Sequence, residues 1–188
     1  MIILASNSPR RRELLQGLGI DFEVQVIPGI DESYPDDMPA KDVAEYIATK
    51  KSVPYITEGT GNIVITADTV VVCDGIIMGK PADEADAKSM LHALSGKTHQ
   101  VYTGVCIKHG GGVKHFSVCT DVTFKKLSDE EIDHYVKTYK PYDKAGSYGI
   151  QEWIGYVGIT GINGSYYNVM GFPVQRVYEE LRRLKIDN

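Results

Sequence analysis

The sequence predicts an α/β or α+β protein built on a mixed, partly antiparallel sheet. Short apolar runs of strand length alternate along the chain with segments of helical periodicity. Glycine-containing turn signals at Asp74-Gly75, 110–112 and Asn163-Gly164 each lie between two strand-like segments, which is typical of β-hairpins. The 188 residues have ordinary globular composition and can bury a substantial core, so we expect one domain or two closely joined lobes.

The N-terminal segment predicts a strand that leads through a short loop into a helix. Ile2–Ala5 is an apolar run that reads as a short buried strand. Ser8 is a suitable N-cap, and Pro9 suits the first helical position because its missing N–H is not needed there. We expect this helix to run to about Leu18 and to stop at Gly19.

The rest of the first half predicts two strands and a helix, with an acidic loop between them. The segments are a strand at Phe22–Ile27, a proline-containing acidic loop at Asp31–Asp37, a helix from about Ala40 to Ser52 and a strand at Ile63–Cys73. The helix carries an apolar stripe formed by Val43, Ala44 and Ile47.

The second half predicts more helices and two further hairpins. Ser128 and Glu131 form a capping box that marks the start of one helix. The predicted segments are a helix at Asp83–Leu94 ending at Gly96, strands at Val101–Lys108 and Val113–Phe124, a helix from Ser128 to about Thr138, a loop at Tyr139–Gly149, strands at Val157–Ile162 and Ser165–Val169, and a helix at Pro173–Lys185.

Charge and cysteine content exclude several classes of protein. The net charge of −5 argues against a general binder of nucleic acid or of anionic membranes. Cys73, Cys106 and Cys119 are odd in number and far apart, which favours reduced thiols over a disulfide framework or a zinc site. No segment is apolar enough to span a membrane or to act as a secretory signal, so we expect a cytoplasmic protein.

Three arginines stand in the first turn of the predicted first helix, at 10–12. The N-terminus of a helix is its positive end, so cations there are disfavoured unless something compensates. Arg11 precedes the inward-facing Leu14, Leu15 and Leu18 by three, four and seven residues, so it points along their face.

A bound polyphosphate is one solution to this conflict of charge. A strand, a tight loop and a helix N-terminus supply backbone N–H donors, and guanidinium groups add bidentate donors suited to phosphate. The alternative is that the arginines are solvated and partly neutralised by Glu13 and by the acidic loop.

Asp68 and Thr69 interrupt the otherwise apolar run "VITADTVVVC". A carboxylate in such a strand is costly unless it is paired, hydrogen-bonded or bound to metal. Asp68 is therefore either a hydrogen-bonded residue at the end of the sheet, or a general base or metal ligand. Asp31 and Glu32 could supply further oxygen ligands, which would favour a hard cation such as Mg²⁺ or Mn²⁺.

Two later segments add weaker candidates. Lys80, in "MGKP", is either a surface lysine or a phosphate ligand acting with Arg11. The loop "DKAGSYGIQ" contains two glycines that would allow close approach to a ligand. Its last residue, Gln151, has an amide that can pair with one donor and one acceptor, as the edge of uracil or thymine requires.

Taken together and in order, these motifs resemble the Maf family of nucleotide pyrophosphatases. The segments that carry the resemblance are "ASNSPRRRELL", the pair Asp31-Glu32, "ADTVV", "GKP", "LSGKTHQVYTGV", "DKAGSYGIQ" and "GSYYNVMGFPV". The resemblance implies a single Maf-like domain over 1–188 with the two-lobed fold of inosine triphosphate pyrophosphatases, in which helices flank an elongated mixed sheet with a central cleft. It also implies cleavage of a nucleoside triphosphate to the monophosphate and pyrophosphate.

The resemblance implies a role for several side chains. Asp68 matches the catalytic base of the family. The positions linked to substrate choice in the dTTP/UTP branch are Arg10, Thr69 and Gln151. The phosphate-binding positions are Ser8, Arg11, Lys51 and Lys80. The metal-binding positions are Glu32 and Asp68.

The same resemblance implies a divalent cation, Mg²⁺ or Mn²⁺, a nucleoside triphosphate as substrate and a homodimer. It suggests work in nucleotide-pool clean-up, with a link to cell-division arrest. Neither nucleic acid nor a membrane is an expected partner. The alternative function is a regulator of septum formation that binds a nucleotide without significant turnover.

Overall fold

The computed structural model describes residues 1–184, which form a mixed sheet flanked by helices. The strands are β1 (Ile2–Leu4), β2 (Phe22–Val24), β3 (Ile63–Cys73), β4 (Ile76–Met78), β5 (Thr98–His109), β6 (Gly112–Phe124) and β7 (Ile159–Asn163). Their order in the sheet is β2-β1-β3-β5-β6-β7, and β4 pairs with β3. β1 runs parallel to β2 and β3, whereas the β3–β4 and β6–β7 pairs are antiparallel. The predicted α/β class with a mixed sheet is confirmed.

Seven α-helices lie within residues 1–184. They are α1 (Pro9–Gln16), α2 (Ala40–Ser52), α3 (Glu84–Leu94), α4 (Asp129–Tyr139), α5 (Trp153–Gly158), α6 (Tyr166–Met170) and α7 (Val174–Arg183). A single turn of 3-10 helix, Ala145–Ser147, lies in the loop after α4. None of the helices in the described part of the chain is both long and apolar enough to cross a membrane.

The chain divides into two compact units. Unit 1 consists of Met1–Asp68, Thr103–Val118 and the described residues from Gly171 on. Unit 2 consists of Thr69–Tyr102 and Cys119–Met170.

The core of unit 1 lies between its strands and the helices α1 and α7. Leu15 is fully buried in this core, and Leu14 and Leu18 pack against it, which confirms the predicted inward face of α1. The other buried members of the cluster are Ile2, Leu4, Ile65, Ala67, Val105, Ile107, Phe116, Phe172, Val177 and Leu181.

Helix α2 also belongs to unit 1, and it lies directly on β5. Its predicted stripe of Val43, Ala44 and Ile47 is buried. Gly104 of β5 makes the close approach possible, because a Cβ there would overlap the backbone of Ala44 and Glu45. At the far end of α2, Lys108 Nζ donates to the carbonyl oxygen of Tyr55 at 2.6 Å and covers the end of the helix.

Unit 2 has its own buried side chains and a hydrogen-bonded helix start. Ser128 and Glu131 form the predicted capping box of α4. Tyr135 of that helix is fully buried. His99 is fully buried as well, and its Nε2 lies 2.7 Å from the Tyr148 hydroxyl.

The prediction of a hairpin around Asn163-Gly164 is wrong. Residues 165–169 belong largely to helix α6, and Val157 belongs to α5. The Ser165 hydroxyl accepts the N–H of Asn168 at 3.1 Å, which is the bond that a serine makes at the start of a helix. Asn168 is fully buried, and its amide donates to the carbonyl of Val101 and to the Thr120 hydroxyl. These bonds hold the segment as a helix, while β7 pairs with β6 instead.

The other predicted boundaries differ only in length. α2 and β3 have the predicted bounds, α1 ends two residues early at Gln16, and β2 ends at Val24. The last helix begins at Val174, and the predicted end at Lys185 lies outside the described residues.

Candidate active site

The loop between β1 and α1 is closed by two serines. The Ser6 hydroxyl accepts the N–H of Ser8 at 3.2 Å. Ser8 is the N-cap of α1, and its hydroxyl accepts the N–H of Arg11 at 3.4 Å. Pro9 stands at the first helical position, as predicted. The loop is therefore fixed by the sequence Ser-Asn-Ser-Pro itself, and it sets the direction in which Arg11 leaves the helix.

Arg11 is directed into unit 1. Its Nε donates to the carbonyl of Gly171 at 2.8 Å, and its Nη1 donates to the carbonyl of Ala67 at 2.9 Å. The same Nη1 lies 3.3 Å from the Ser6 hydroxyl. Burial lowers the pKa of Arg11, and the charge of Asp68 opposes that shift. Arg11 therefore ties α1 to the middle of β3, one residue before Asp68.

Of the two neighbouring arginines, only Arg12 differs from the half-buried Arg11 in exposure. Arg10 is half-buried and Arg12 is exposed. The first turn of α1 contains no acidic residue that could neutralise them. The conflict between the helix dipole and the charge of Arg11 is resolved by carbonyl oxygens, which accept its N–H groups.

Asp68 is paired with a lysine from α2. Lys51, in the last turn of that helix, places its Nζ 2.8 Å from Asp68 Oδ1. The same Nζ lies 3.1 Å from Oε1 of Glu32 in the acidic loop. The Lys51 and Asp68 side chains are 17% and 16% exposed, whereas Glu32 is 56% exposed. Unit 1 therefore brings together one predicted base, one predicted phosphate ligand and one predicted metal ligand.

Asp31, the other acidic residue considered as a metal ligand, has different partners. Its carboxylate accepts from Lys50 Nζ at 2.6 Å and from the Ser33 hydroxyl at 2.7 Å. The hydrogen bond from Lys50 is the main reason that the pKa of Asp31 lies well below its usual value. The adjacent lysines of α2 thus separate the two carboxylates: Lys50 holds Asp31, and Lys51 holds Glu32.

The donor set around Lys51 fits a divalent cation only in part. Within residues 1–184 no group of three or more His, Cys, Asp or Glu side chains is placed to hold a metal ion. Glu32 and Asp68 nevertheless converge on one cationic atom, and both offer the oxygen ligands that Mg²⁺ and Mn²⁺ prefer. Mg²⁺ in phosphate-transferring sites is commonly held by one or two carboxylates plus substrate phosphates. The pair therefore fits a cation that is also bound by a triphosphate.

In unit 2 the structure brings the "GKP" segment to the "DKAGSYGIQ" loop. The N–H of Gly146 donates to the carbonyl of Gly79, next to the exposed Lys80, at 3.1 Å. Gly146 has a φ of 68° and packs on Val71, where a Cβ would come within 2.9 Å of a methyl group. Glycine is required here for both its conformation and its size. Thr69, half-buried on β3, belongs to the same unit.

Gln151 lies at the end of this loop. Its Oε1 is buried and has no hydrogen-bond partner in the described chain. Its Nε2 lies 3.2 Å from the point where a Cβ on Gly149 would stand. The Glu152 carboxylate and the Lys144 side chain also meet that point. A side chain at 149 would displace all three neighbours, so the glycine sets how closely they pack.

Glu152 is itself held by two partners in unit 2. Lys144 Nζ lies 3.0 Å from Glu152 Oε1, and both side chains are mostly buried. The Tyr135 hydroxyl is hydrogen-bonded to Glu152 and accepts the N–H of Gly149 at 3.0 Å. Burial, followed by the charge of Glu152, raises the pKa of Tyr135 far above its usual value, so the hydroxyl stays protonated.

Several residues of these two clusters were not singled out by sequence reasoning as parts of a site. They are Ser6, Gly171, Tyr135 and Glu152. Gly171 acts through a long-range bond to Arg11, and nothing in its sequence neighbourhood indicates that partner; Ser6 lies close to Arg11 in the sequence, but its hydroxyl gave no signal of the contact. Glu152 follows Gln151 directly, and its position beside a candidate base reader was the one available signal.

Comparison with known proteins gives a family for the whole described chain. The family model described as Maf-like protein matches residues 1–184. A dTTP/UTP pyrophosphatase from Phocaeicola vulgatus is 60% identical over 97% of this chain and 95% of its own. The proteins of the same name from Parabacteroides distasonis and Bacteroides thetaiotaomicron are 58% and 52% identical, over 96% and 97% of this chain and 94% and 95% of their own.

A solved structure shows a weaker likeness. It is a nucleoside-triphosphatase / dITP/XTP pyrophosphatase from Mycobacterium abscessus, with 14% identity over 96% of this chain and 93% of that chain and a TM-score of 0.43. A likeness at that level carries no weight beside the family match. On the family match and the three relatives, the chain belongs to the Maf family.

Proposed function

We propose that this protein hydrolyses dTTP and UTP to the nucleoside monophosphate and pyrophosphate. Relatives that are 52–60% identical over nearly the whole chain are named dTTP/UTP pyrophosphatases. The observation that carries the proposal for this chain is the contact between Lys51 and Asp68, at 2.8 Å and largely shielded from solvent. This contact places the Asp68 carboxylate beside the Lys51 ammonium, to which a phosphate can also bind.

Asp68 is the proposed general base. While no substrate is bound, the ammonium of Lys51 balances its charge. The oxygens of a triphosphate compete for that ammonium, which leaves the carboxylate able to accept a proton from water. The water oxygen then forms a bond to the α-phosphorus, and the bond from this phosphorus to the bridging oxygen of pyrophosphate breaks. The proton of the water passes to Asp68.

Positive charge around the triphosphate is the second requirement of this reaction. Ser8, Arg11, Lys51 and Lys80 are the proposed contacts to these phosphates. A divalent cation, Mg²⁺ or Mn²⁺, held by Glu32 and Asp68 would neutralise further charge on the phosphates. Arg11 already has bonds to protein carbonyls, so its contribution is partly to hold the middle of β3 in place.

Gln151 is the proposed reader of the base, together with Arg10 and Thr69 as further determinants of substrate choice. Uracil and thymine present an N–H between two carbonyl oxygens, whereas cytosine presents an acceptor nitrogen beside an amino group. The buried Oε1 of Gln151 has no partner in residues 1–184 and is suited to accept that N–H. The amide Nε2 can then donate to a neighbouring carbonyl of the base.

The first experiment is a panel of nucleoside triphosphates incubated with the protein and Mg²⁺ or Mn²⁺, with products separated by chromatography. We expect UTP and dTTP to yield monophosphate and pyrophosphate, and CTP and purine nucleotides to react slowly.

Asp68→Asn should fold normally and lose roughly 10²–10⁴-fold in turnover. Asp36→Asn, in the exposed acidic loop, is the matched control and should keep full activity. Near-normal turnover by Asp68→Asn would contradict the assignment.

The same panel tests the alternative, a nucleotide-binding regulator of septum formation. Tight binding of UTP without product would favour that function. A cytoplasmic location, a homodimer and a part in nucleotide-pool clean-up belong to the same proposal. Light scattering on the purified protein tests the homodimer directly.

A further inference from the structure

A glutamine that distinguishes uracil from cytosine must have its side-chain amide prevented from flipping. Rotation of its amide by 180° exchanges the acceptor oxygen and the donor nitrogen. One orientation matches the N–H and carbonyl of uracil or thymine, and the other matches the acceptor and amino group of cytosine. A freely rotating amide would therefore read both bases, and the selectivity of Gln151 depends on what surrounds it.

The surroundings of Gln151 are not symmetric. Its Nε2 and the Glu152 carboxylate both lie against Gly149, at the point where a Cβ would stand. With the amide nitrogen on that side, the donor lies on the same side as the Glu152 charge and acts on it through space, since Glu152 Oε1 accepts no hydrogen bond within the described residues. After rotation the amide oxygen would face the same charge, and two acceptors would repel each other. The carboxylate thus favours the orientation in which Oε1 is left for the base.

Glu152 can act in this way only if it is fixed itself. Lys144 Nζ lies 3.0 Å from its Oε1 as an ion pair; this oxygen is shielded from solvent and accepts no hydrogen bond within the described residues. The Tyr135 hydroxyl is bonded both to Glu152 and to the N–H of Gly149. Tyr135, a fully buried residue of α4, therefore fixes Gly149 before Gln151 and Glu152 after it.

We propose that Glu152, held by Lys144 and Tyr135, is a positioning residue that orients the Gln151 amide and so makes the site select uracil and thymine over cytosine. This inference rests on the proposed function. It assigns no contact between Glu152 and the substrate.

The test compares the ratio of kcat/KM for UTP to kcat/KM for CTP in the wild type and in three variants. Glu152→Gln keeps the size of the side chain and removes the charge, so the ratio should fall roughly tenfold, which corresponds to about 1.4 kcal/mol. The kcat for UTP should change less than about twofold, because the reacting groups are untouched. Glu152→Asp keeps the charge and should keep most of the ratio.

Tyr135→Phe provides a second route that does not alter Glu152. Removing the hydroxyl should lower the same ratio, and the double variant with Glu152→Gln should show little further loss because both changes act on one contact. If Glu152→Gln fails to fold, the Tyr135→Phe result decides the matter. Asp74→Asn removes an exposed ion pair with Lys97 in the same unit and is the control that should leave the ratio unchanged.

The outcomes distinguish a failure of the proposed role of Glu152 from a failure of the proposed dTTP/UTP hydrolysis. If the wild type does not hydrolyse UTP or dTTP, both fail. If the wild type prefers UTP to CTP and the folded variants keep that ratio, only the role of Glu152 is overturned. Equal losses on both nucleotides would show that Glu152 merely stabilises the loop, and would overturn the inference as well.

Discussion

Replacing Arg11 with alanine should destabilise unit 1 as well as weaken substrate binding. The guanidinium donates to the carbonyls of Gly171 and Ala67 at 2.8 and 2.9 Å and lies 3.3 Å from the Ser6 hydroxyl. Alanine leaves these acceptors without their donor in a partly buried place. Each such loss costs ~1–3 kcal/mol, and water entering the vacated space reduces the sum, so we expect about 3–5 kcal/mol in the free energy of unfolding.

Thermal unfolding followed by circular dichroism measures this loss. For a chain of this size each kcal/mol shifts Tm by roughly 2–4 °C, so the melting temperature should fall by about 10 °C. Arg12→Ala is the matched control, because Arg12 is the next residue of the same helix and is exposed. Its melting temperature should equal that of the wild type.

The two possible roles of Arg11 give different patterns. If the arginine serves only as a phosphate ligand, Arg11→Ala will melt with the wild type and lose affinity for a non-hydrolysable triphosphate. A wild-type melting curve would therefore refute the structural reasoning. A lowered Tm with unchanged triphosphate affinity would instead remove Arg11 from the proposed phosphate contacts.

Two further perturbations test the site and the core of unit 2. Lys51→Met should lower kcat/KM for UTP by roughly 10–100-fold, because the charge-assisted contact to Asp68 is lost. Lys50→Met is the control, and equal losses in the two variants would argue against a specific role for Lys51. Burial lowers the pKa of His99 to about 4, so the folded state resists a proton that the unfolded chain takes up below about pH 6.5. The free energy of unfolding should therefore fall by about 2–3 kcal/mol between pH 7 and 4.5 from this group, and His99→Gln should show a flatter dependence in urea melts at both pH values. An unchanged pH dependence in that variant would contradict the assignment to His99.

Local signals predicted much of the fold because the residues that decide it are close in sequence. Helix α2 has its apolar stripe and β3 a long, mostly apolar run, and both have the predicted bounds. The capping box at Ser128 and Glu131 predicted the start of α4 for the same reason. The segment 165–169 was misassigned because its helix depends on the buried amide of Asn168, whose partners at Val101 and Thr120 are distant in the sequence.

The candidate site was predicted as a set of residues but not as a set of contacts. Asp68 was singled out because a carboxylate in an apolar strand needs a partner, and the structure supplies Lys51 as that partner. Which lysine of α2 would reach it could not be read from the sequence, since Lys50 and Lys51 are adjacent. The roles of these side chains in catalysis and substrate choice stay predictions.

Gly104 has a consequence for attempts to alter this protein by random mutagenesis. The residue lets α2 rest on β5 with no side chain between the two backbones, and that contact fixes the height of the helix whose last turn carries Lys51. Any larger residue at 104 must lift the helix and move the root of that lysine. Variants altered at 104 would be discarded as inactive although no proposed site residue had changed. Screens for new nucleotide substrates would therefore lose every variant with a change at this position.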